Sequence, residues 1–303
     1  MIVAGGRVVG RGWTQAGGRP HAEAMALTQA GDRARGATAY VTLEPCAHQS
    51  TRGPACSDLL IAAGLARVVA ALEDPDPRTA GRGFARLRDA GIRVETGTRA
   101  AEARRSMAGF LTRRTRGRPH VTLKLATSLD GCIAMADGAS RWITGPQARA
   151  HAHLERSRHE SILVGRGTYA VDAPRLDVRL AGLESRAPIR VVLSATILTP
   201  PTAEENAGTD WCVIADPQDI ATLPGDYLLV EGGAAVASAF LAADLVDRLL
   251  LYRAPILIGG GRHALGDIGL GDLSTAHGRW SIVDTRQLGS DRVEVYERER
   301  NEG

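Results

Sequence analysis

The stretch AYVTLEPCAHQSTRGPACSDLLIAAGLARVV, Ala39 to Val69, decides the fold. Its start belongs to a short β-rich run, Thr38 to Leu43. A polar loop then leads into a helix-forming segment, Cys56 to Ala63, which Gly64 stops before a second strand, Ala66 to Leu72. The alternation extends outward. Upstream, Met1 to Trp13 alternates apolar and small residues around Gly5-Gly6, the pattern of a hairpin, and His21 to Gly31 is rich in helix formers. Downstream, Gly83 to Ala90 reads as a helix stopped by Gly91, and Ile92 to Glu95 as another strand. Helix and strand taking turns predict a layered α/β sheet.

A second series begins at His120 to Ala126. It continues with a helix near Pro146 to Arg158 and strands at Ser161 to Val164, Ile189 to Leu193, Trp211 to Ile214 and Asp226 to Val230. A helix at Ala234 to Ala243 and late strands at Arg248 to Tyr252 and Arg292 to Tyr296 complete it. Segments 197–210 and 262–279 are polar or Gly-rich and show no pattern. Between the two series stand Arg113, Arg114, Arg116 and Arg118, a run that reads as a solvated linker. A length of 303 residues fits two domains, and the absence of an internal repeat makes them different folds. The expected boundaries are 1–112 and 119–300.

An apolar share of 44% with 23% charged residues supports sizeable buried cores and excludes disordered, collagen-like and heptad-built chains. Lys plus Arg at 37 against Asp plus Glu at 34 leaves +3, too small a surplus to grip nucleic acid over a whole surface. Aromatics at 4% leave few stacking platforms for single strands. No stretch approaches the roughly 18 uncharged apolar residues of a membrane span, and Met1 to Gly6 carry no signal-peptide pattern. The expectation is a soluble, cytoplasmic protein whose four cysteines serve something other than disulfides.

His21-Ala22-Glu23 opens the first long helix, and Pro45-Cys46 followed by Cys56 sits at the entrance of the next. Together they match the H-x-E…P-C…C pattern of the zinc deaminases. One imidazole and two thiolates fill three tetrahedral positions on zinc and leave the fourth for water, whose pKa falls to about 7. Glu23 is then the proton shuttle and not a ligand. Residues two apart on a regular helix point about 200° away from each other, so His21 and Glu23 converge only at an irregular first turn. The preceding Gly17-Gly18-Arg19-Pro20 favours a helix start there. Taken singly, His21 is a surface residue and each cysteine a small core hydrophobe; the joint order makes them a metal site. Cys132 and Cys212 lie in strand-like apolar runs without companions and read as buried structural thiols.

The Ala39 to Val69 run, with PHAEAMAL (Pro20 to Leu27) and AALEDPDPRTAGRGFARLRDAGIRV (Ala70 to Val94), resembles the deaminase half of the bifunctional riboflavin-biosynthesis deaminase/reductase family. The second half is similar to the reductase of that family, through LKLATSLDGCIA (Leu123 to Ala134), GASRWITGPQAR (Gly138 to Arg149), ILVGRGTYAVDAPRLDVR (Ile162 to Arg179), PIRVVLS (Pro188 to Ser194) and LLVEGGAAVASAFL (Leu228 to Leu241). The resemblance implies an α/β chain with an N-terminal cytidine-deaminase-like three-layer domain and a C-terminal dihydrofolate-reductase-like domain. It implies Zn2+ on His21, Cys46 and Cys56, and substrate contacts from His48 and Arg52 in the nine-residue insert between the cysteines. NADPH is implied at Ala126, Trp142, Thr168, Asp172, Ser194 and the run Gly233, Ala234, Ala235, Val236, Ala237, Ser238 and Ala239. The sugar phosphate is implied at Ser140, Arg156, Leu176, Arg179 and Glu231.

The residues themselves support part of this. A strand followed by Gly232-Gly233 and a small-residue helix lets backbone amides approach a pyrophosphate, and Arg156 with Arg179 reads as a phosphate clamp. The hexad Gly165 to Ala170 fits G-x-G-x-x-A. It precedes Val171-Asp172-Ala173-Pro174 instead of a long helix, so a Rossmann site is rejected. Trp142, inside its S-x-W-I-T block, reads as a pocket wall, and Asp130 as a turn-former. The implied chemistry is deamination of a diaminopyrimidinone ribosyl phosphate at zinc, then NADPH reduction of ribosyl to ribityl, with the reductase general acid unassigned. The expected partner is this small phosphorylated pyrimidine, with no nucleic acid or membrane, in a homodimer or higher oligomer formed through the reductase domain. The family usually opens with a helix before its first strand, whereas this chain starts at Met1-Ile2-Val3 inside that strand. That difference motivates one alternative, a monofunctional reductase with an impaired deaminase. The arginine run motivates another, an RNA deaminase with an appended module.

Overall fold

The computed structural model describes residues 1–48, 50–196 and 211–300, so segment 197–210 lies outside the described residues. The chain divides after Thr115. In the first unit the opening hairpin is β1 (Ile2–Ala4) and β2 (Arg7–Gly10), followed by α1 (Ala22–Ala30), β3 (Thr38–Leu43), α2 (Cys56–Ala62) and β4 (Arg67–Leu72). Then come α3 (Arg82–Asp89), β5 (Arg93–Thr96), α4 (Ala100–Ser106) and α5 (Ala108–Arg116). The sheet order is β2-β1-β3-β4-β5, with β3, β4 and β5 parallel and β1 antiparallel to both its neighbours. Central β4 is buried from Val68 to Leu72, the near-continuous apolar run of a parallel strand covered on both faces. On one face Ala26, Ala30, Leu60 and Leu87 from α1, α2 and α3 pack with Val68, and on the other Ala103 of α4 packs with Ala71 and Leu72. Three layers result.

The second unit holds β6 (His120–Thr127), β7 (Cys132–Ala134), α6 (Pro146–Arg156), β8 (Ser161–Gly165), α7 (Arg166–Asp172), β9 (Ile189–Leu193) and β10 (Trp211–Ile214). It continues through β11 (Tyr227–Val230), α8 (Ala234–Ala242), β12 (Arg248–Arg253), β13 (Arg262–His263), β14 (Trp280–Leu288) and β15 (Asp291–Arg298). The large sheet runs β10-β9-β8-β11-β6-β12-β15-β14, parallel from β10 to β12 and antiparallel at β15 and β14. The carboxyl ends of six parallel strands therefore open on one edge, where ligands of open α/β sheets bind. Val236, Ala237 and Phe240 of α8 pack on Val121, Leu123, Leu163 and Leu228 to form the core of one face.

Three expectations need correction. The arginine run is not a solvated linker: α5 continues through Arg116, because Leu111 is anchored among Ala71, Leu72 and Ala103, and Arg114 lies 5.6 Å over the Phe110 ring. Arg118 is buried and donates to both carboxylate oxygens of Asp247, at 2.6 and 2.9 Å. Removing one partner of such a pair costs about 3–5 kcal/mol. Second, the residues after Gly165 are not plain loop but open a short helix, well under the long helix whose absence counted against a Rossmann site. Arg166–Asp172 forms two turns that end at Ala173 in the left-handed region, φ +40°. Third, part of the segment 262–279 is ordered as β13 and a 3-10 turn, Leu273–Ala276.

Candidate active sites

His21 is the residue before α1, with extended backbone (φ −74°, ψ 165°), and Glu23 lies in the first turn. The expected conflict between residues two apart does not arise, because His21 is not helical. Its Nδ1 lies 3.6 Å from Cys46 Sγ and 3.3 Å from Cys56 Sγ. Tetrahedral zinc, bonded at about 2.3 Å to sulfur and about 2.1 Å to nitrogen, sets such atoms about 3.6 Å apart. The donor set fits the ion, and it is the one His/Cys/Asp/Glu group found among the described residues with metal-binding spacing. Cys46 is held down to about 3 by its hydrogen bonds from the Cys56 thiol and His21, whereas Cys56 is pushed up as holder of the shared proton. A coordinated metal removes that proton as well. Burial pushes the Glu23 carboxyl upward from its ordinary value.

Glu44, which sequence reasoning passed over, fixes the zinc loop. Its buried carboxylate accepts the backbone N–H groups of Gly81 at 2.9 Å, Phe84 at 3.0 Å and Asp74 at 3.3 Å, joining the residue beside Pro45-Cys46 to the start of α3. A Cβ at Gly83 would lie 2.0 Å from the Pro45 carbonyl oxygen, so only glycine lets α3 rest on this loop. The Cys56 N–H donates to Cys46 Sγ at 3.3 Å, and Ser57 Oγ to the Cys46 carbonyl at 3.1 Å. A carboxylate at the end of an apolar strand was the signal available. Of the insert residues, His48 Nδ1 meets buried Thr79 Oγ1 at 3.3 Å, and the Arg52 guanidinium donates to the Gly17 carbonyl.

In the second unit the strand ends bring several predicted residues together. Arg156 donates to both oxygens of Glu231, at 2.8 and 3.0 Å, and to the Asp177 carbonyl at 3.1 Å. Of the two clamp candidates, Arg156 is paired with Glu231, and the exposed Arg179 lies 3.4 Å from Asp177. Burial pushes the Glu231 carboxyl up, but Arg156 and Lys124 outweigh it and hold it at about 2. Lys124, 3.7 Å from Glu231 and 5.9 Å over the Tyr252 ring, is a second residue that the sequence reading missed. Leu176 is buried in the left-handed region, φ +50°. Gly233 caps α8, and Cβ atoms built at Gly232 and Gly165 would each lie 2.5 Å from Val236, so both glycines let the helix start approach the strand ends. The side chains of Val236, Ala237 and Ser238 are buried, which leaves backbone amides as what this run offers a ligand. Thr168 lies beside Gly233, Ser194 follows β9, and Ala126 on β6 pairs with Tyr252. Trp142 is exposed under the Arg149 guanidinium at 4.6 Å, and Asp172 pairs with Arg141 at 3.7 Å. Ser140 is exposed and joins neither cluster. Asp130 accepts from Ser128 Oγ and the Ile258 and Gly259 N–H groups, which hold it down to about 2, as suits a turn-former.

A three-layer unit with a His-Cys-Cys metal set and an adjacent carboxyl, joined to a parallel sheet with a glycine-lined helix start, defines a zinc deaminase fused to a dinucleotide-dependent reductase. The comparisons agree. Residues 1–72 match the cytidine and deoxycytidylate deaminase zinc-binding region, and residues 119–293 match the RibD C-terminal domain. The chain is 39% identical to the riboflavin biosynthesis protein RibD of Escherichia coli, over 96% of this chain and 90% of that one. The RibD structure from Acinetobacter baumannii superposes with a TM-score of 0.84 at 35% identity, covering 99% of this chain and 91% of the other. A diaminohydroxyphosphoribosylaminopyrimidine deaminase/5-amino-6-(5-phosphoribosylamino)uracil reductase from Thermotoga maritima gives 0.83 at 32% identity, covering 98% and 90%. The chain belongs to the RibD family of riboflavin-biosynthesis proteins. Its first half is the expected cytidine-deaminase-like unit, and its second half is the RibD C-terminal domain.

Proposed function

We propose that the chain carries both steps of its family: deamination of 2,5-diamino-6-ribosylamino-4(3H)-pyrimidinone 5′-phosphate in the first unit and reduction of the ribosyl group to ribityl in the second. The cofactors are Zn2+ and NADPH. The observation that carries the reading is the placing of His21 Nδ1 within 3.6 Å of two sulfurs, at the foot of the helix that bears Glu23. Zinc held by His21, Cys46 and Cys56 supplies the Lewis acidity that makes a nucleophile of water at neutral pH. Glu23 takes the proton on a carboxylate oxygen and returns it to the departing amine nitrogen. His48 and Arg52 stand on the insert loop and hold the ribosyl phosphate.

In the second unit NADPH supplies the hydride. The α8 amides receive its pyrophosphate, with Ala126, Trp142, Thr168, Asp172 and Ser194 around the remainder. Arg156 and Lys124 keep Glu231 ionised and fixed against the sugar, and Arg179 meets the phosphate. Neither alternative is favoured: the zinc ligands converge, and the arginine run is folded into α5 and an ion pair with Asp247. No helix among the described residues is long and apolar enough to cross a membrane. We further propose that two copies pair through the reductase unit.

Replacing Arg179 by alanine is expected to raise KM for the deaminated phosphorylated substrate about 10- to 100-fold with kcat nearly kept. The dephosphorylated compound, assayed alongside, is expected to show no change. An unchanged KM contradicts the phosphate assignment.

A further inference from the structure

Beside Arg179 stands a titratable ring that the two reactions have not called on. His153 lies one turn before Arg156 on α6, so the two side chains share a face of the helix. Both reach the same acceptor: the Asp177 carbonyl oxygen is 3.1 Å from the Arg156 guanidinium and 3.1 Å from His153 Nδ1. The Arg179 backbone N–H meets that same Nδ1 at 3.3 Å. One nitrogen cannot serve both. Without a proton Nδ1 accepts from Arg179; with one it donates to Asp177 and leaves the Arg179 N–H to another acceptor. An imidazolium carries protons on both nitrogens, so charging the ring enforces the second arrangement.

The charges around the ring come from four elements. Arg156 stands on α6 itself. The segment between α7 and β9 brings Arg179 and Asp177, whose carboxylate is 3.4 Å from Arg179 and 3.1 Å from Arg175. From β11 comes the end of the strand with Glu231, held by Arg156 at 2.8 Å and by Lys124 of β6 at 3.7 Å. Burial first, then Arg156 and Arg179, push the imidazole below its ordinary value against the pull of the Asp177 carbonyl and Glu231. The ring is therefore uncharged at neutral pH. A phosphate dianion seated at Arg179 reverses that balance, because its negative charge favours the charged ring. We infer that His153 takes a proton from solvent as the substrate's phosphate binds, adding a cation to Arg179 and releasing the Arg179 N–H to the phosphate oxygens. The inference rests on the placing of the phosphate at Arg179.

The test is calorimetric binding without NADPH, at about pH 7.5, where a phosphate monoester is already a dianion, in buffers of different ionisation enthalpy that report protons taken up. The ligands are the deaminated phosphorylated substrate and its dephosphorylated counterpart, given to the full chain and to its His153→Asn and Arg179→Ala variants. Asparagine keeps a hydrogen-bonding group near the place of Nδ1 and cannot charge. The expected wild-type result is uptake of about 0.3–1 proton with the phosphorylated compound and none with the other. In His153→Asn the uptake disappears and the phosphorylated compound binds about 3- to 10-fold more weakly, a gap that closes by about pH 9. Uptake that persists in His153→Asn, or no uptake in the wild type, overturns the inference. If Arg179→Ala still abolishes the preference for the phosphorylated compound, the phosphate reading survives that failure. Equal wild-type binding of the two compounds overturns the phosphate reading itself, and the inference with it.

Discussion

In the first unit three ligand atoms from the starts of α1 and α2 and from the loop after β3 gather within 4.8 Å of one another. In the second, the residues assigned to nucleotide and sugar are spread over the ends of β6, β8, β9 and β11, and much of what they offer is backbone. The contrast follows from the ligands. A metal ion is bound by few atoms at short range, so single side chains decide its site. A dinucleotide is long and is held by a helix start, glycines and scattered contacts, so the geometry of a sheet edge decides its site. One site is fragile to point substitution and the other to backbone displacement.

The largest test of that contrast is Cys56→Ser. Zinc content and ammonia release are expected to fall together, release by at least about 1,000-fold, while NADPH oxidation with the deaminated intermediate stays within about two-fold. Metal analysis beside the two assays checks it, and loss of both activities would mean that the units are not chemically separate. Glu23→Gln comes next. Zinc stays and ammonia release drops about 100- to 10,000-fold, so full turnover would remove Glu23 from proton transfer. On the other side, Gly232→Ala places a Cβ 2.5 Å from Val236 and pushes α8 away. About 1–3 kcal/mol of stability and about ten-fold in KM for NADPH are the expected losses, with ammonia release unaltered.

The smallest effect is on acid stability. Burial holds His120 down at about 4, against an unfolded value of 6.5, so below pH 6.5 the unfolded chain takes the proton first. This contribution, on the order of 1–3 kcal/mol, is fully present above pH 6.5 and is lost as pH falls to about 4. His151, His153 and His159 shift the same way by burial, whereas His21 shifts upward through its hydrogen bond with Cys46. Calorimetry between pH 6.5 and 4 is expected to show the second unit losing stability and His120→Gln flattening that slope. An unchanged slope in the variant would assign it to other groups.

The contrast also governs what could be read from the chain. His21, Glu23, Cys46 and Cys56 carry local spacing that announces a metal, and Gly64 and Gly91 mark where helices stop. Glu44 was invisible because its partners, Gly81 and Phe84, lie about forty residues on. The Arg156 pairing with Glu231 spans 75 positions, so a guanidinium already engaged looked free. The helical α5 was hidden because its four neighbouring arginines suggested solvent, while its anchors, Met107 and Leu111, precede the run. The edge strand β14 shows only a half-exposed, mostly polar pattern that resembles loop sequence.

The measurement that bears most directly on two working sites in one chain follows ammonia and NADPH in one cuvette. Zinc-loaded protein is given the diaminopyrimidinone ribosyl phosphate and NADPH. Ammonia release followed by equimolar NADPH oxidation is the predicted result. NADPH oxidation on adding the deaminated intermediate, with no ammonia from the diamino substrate, would contradict it and leave a reductase alone.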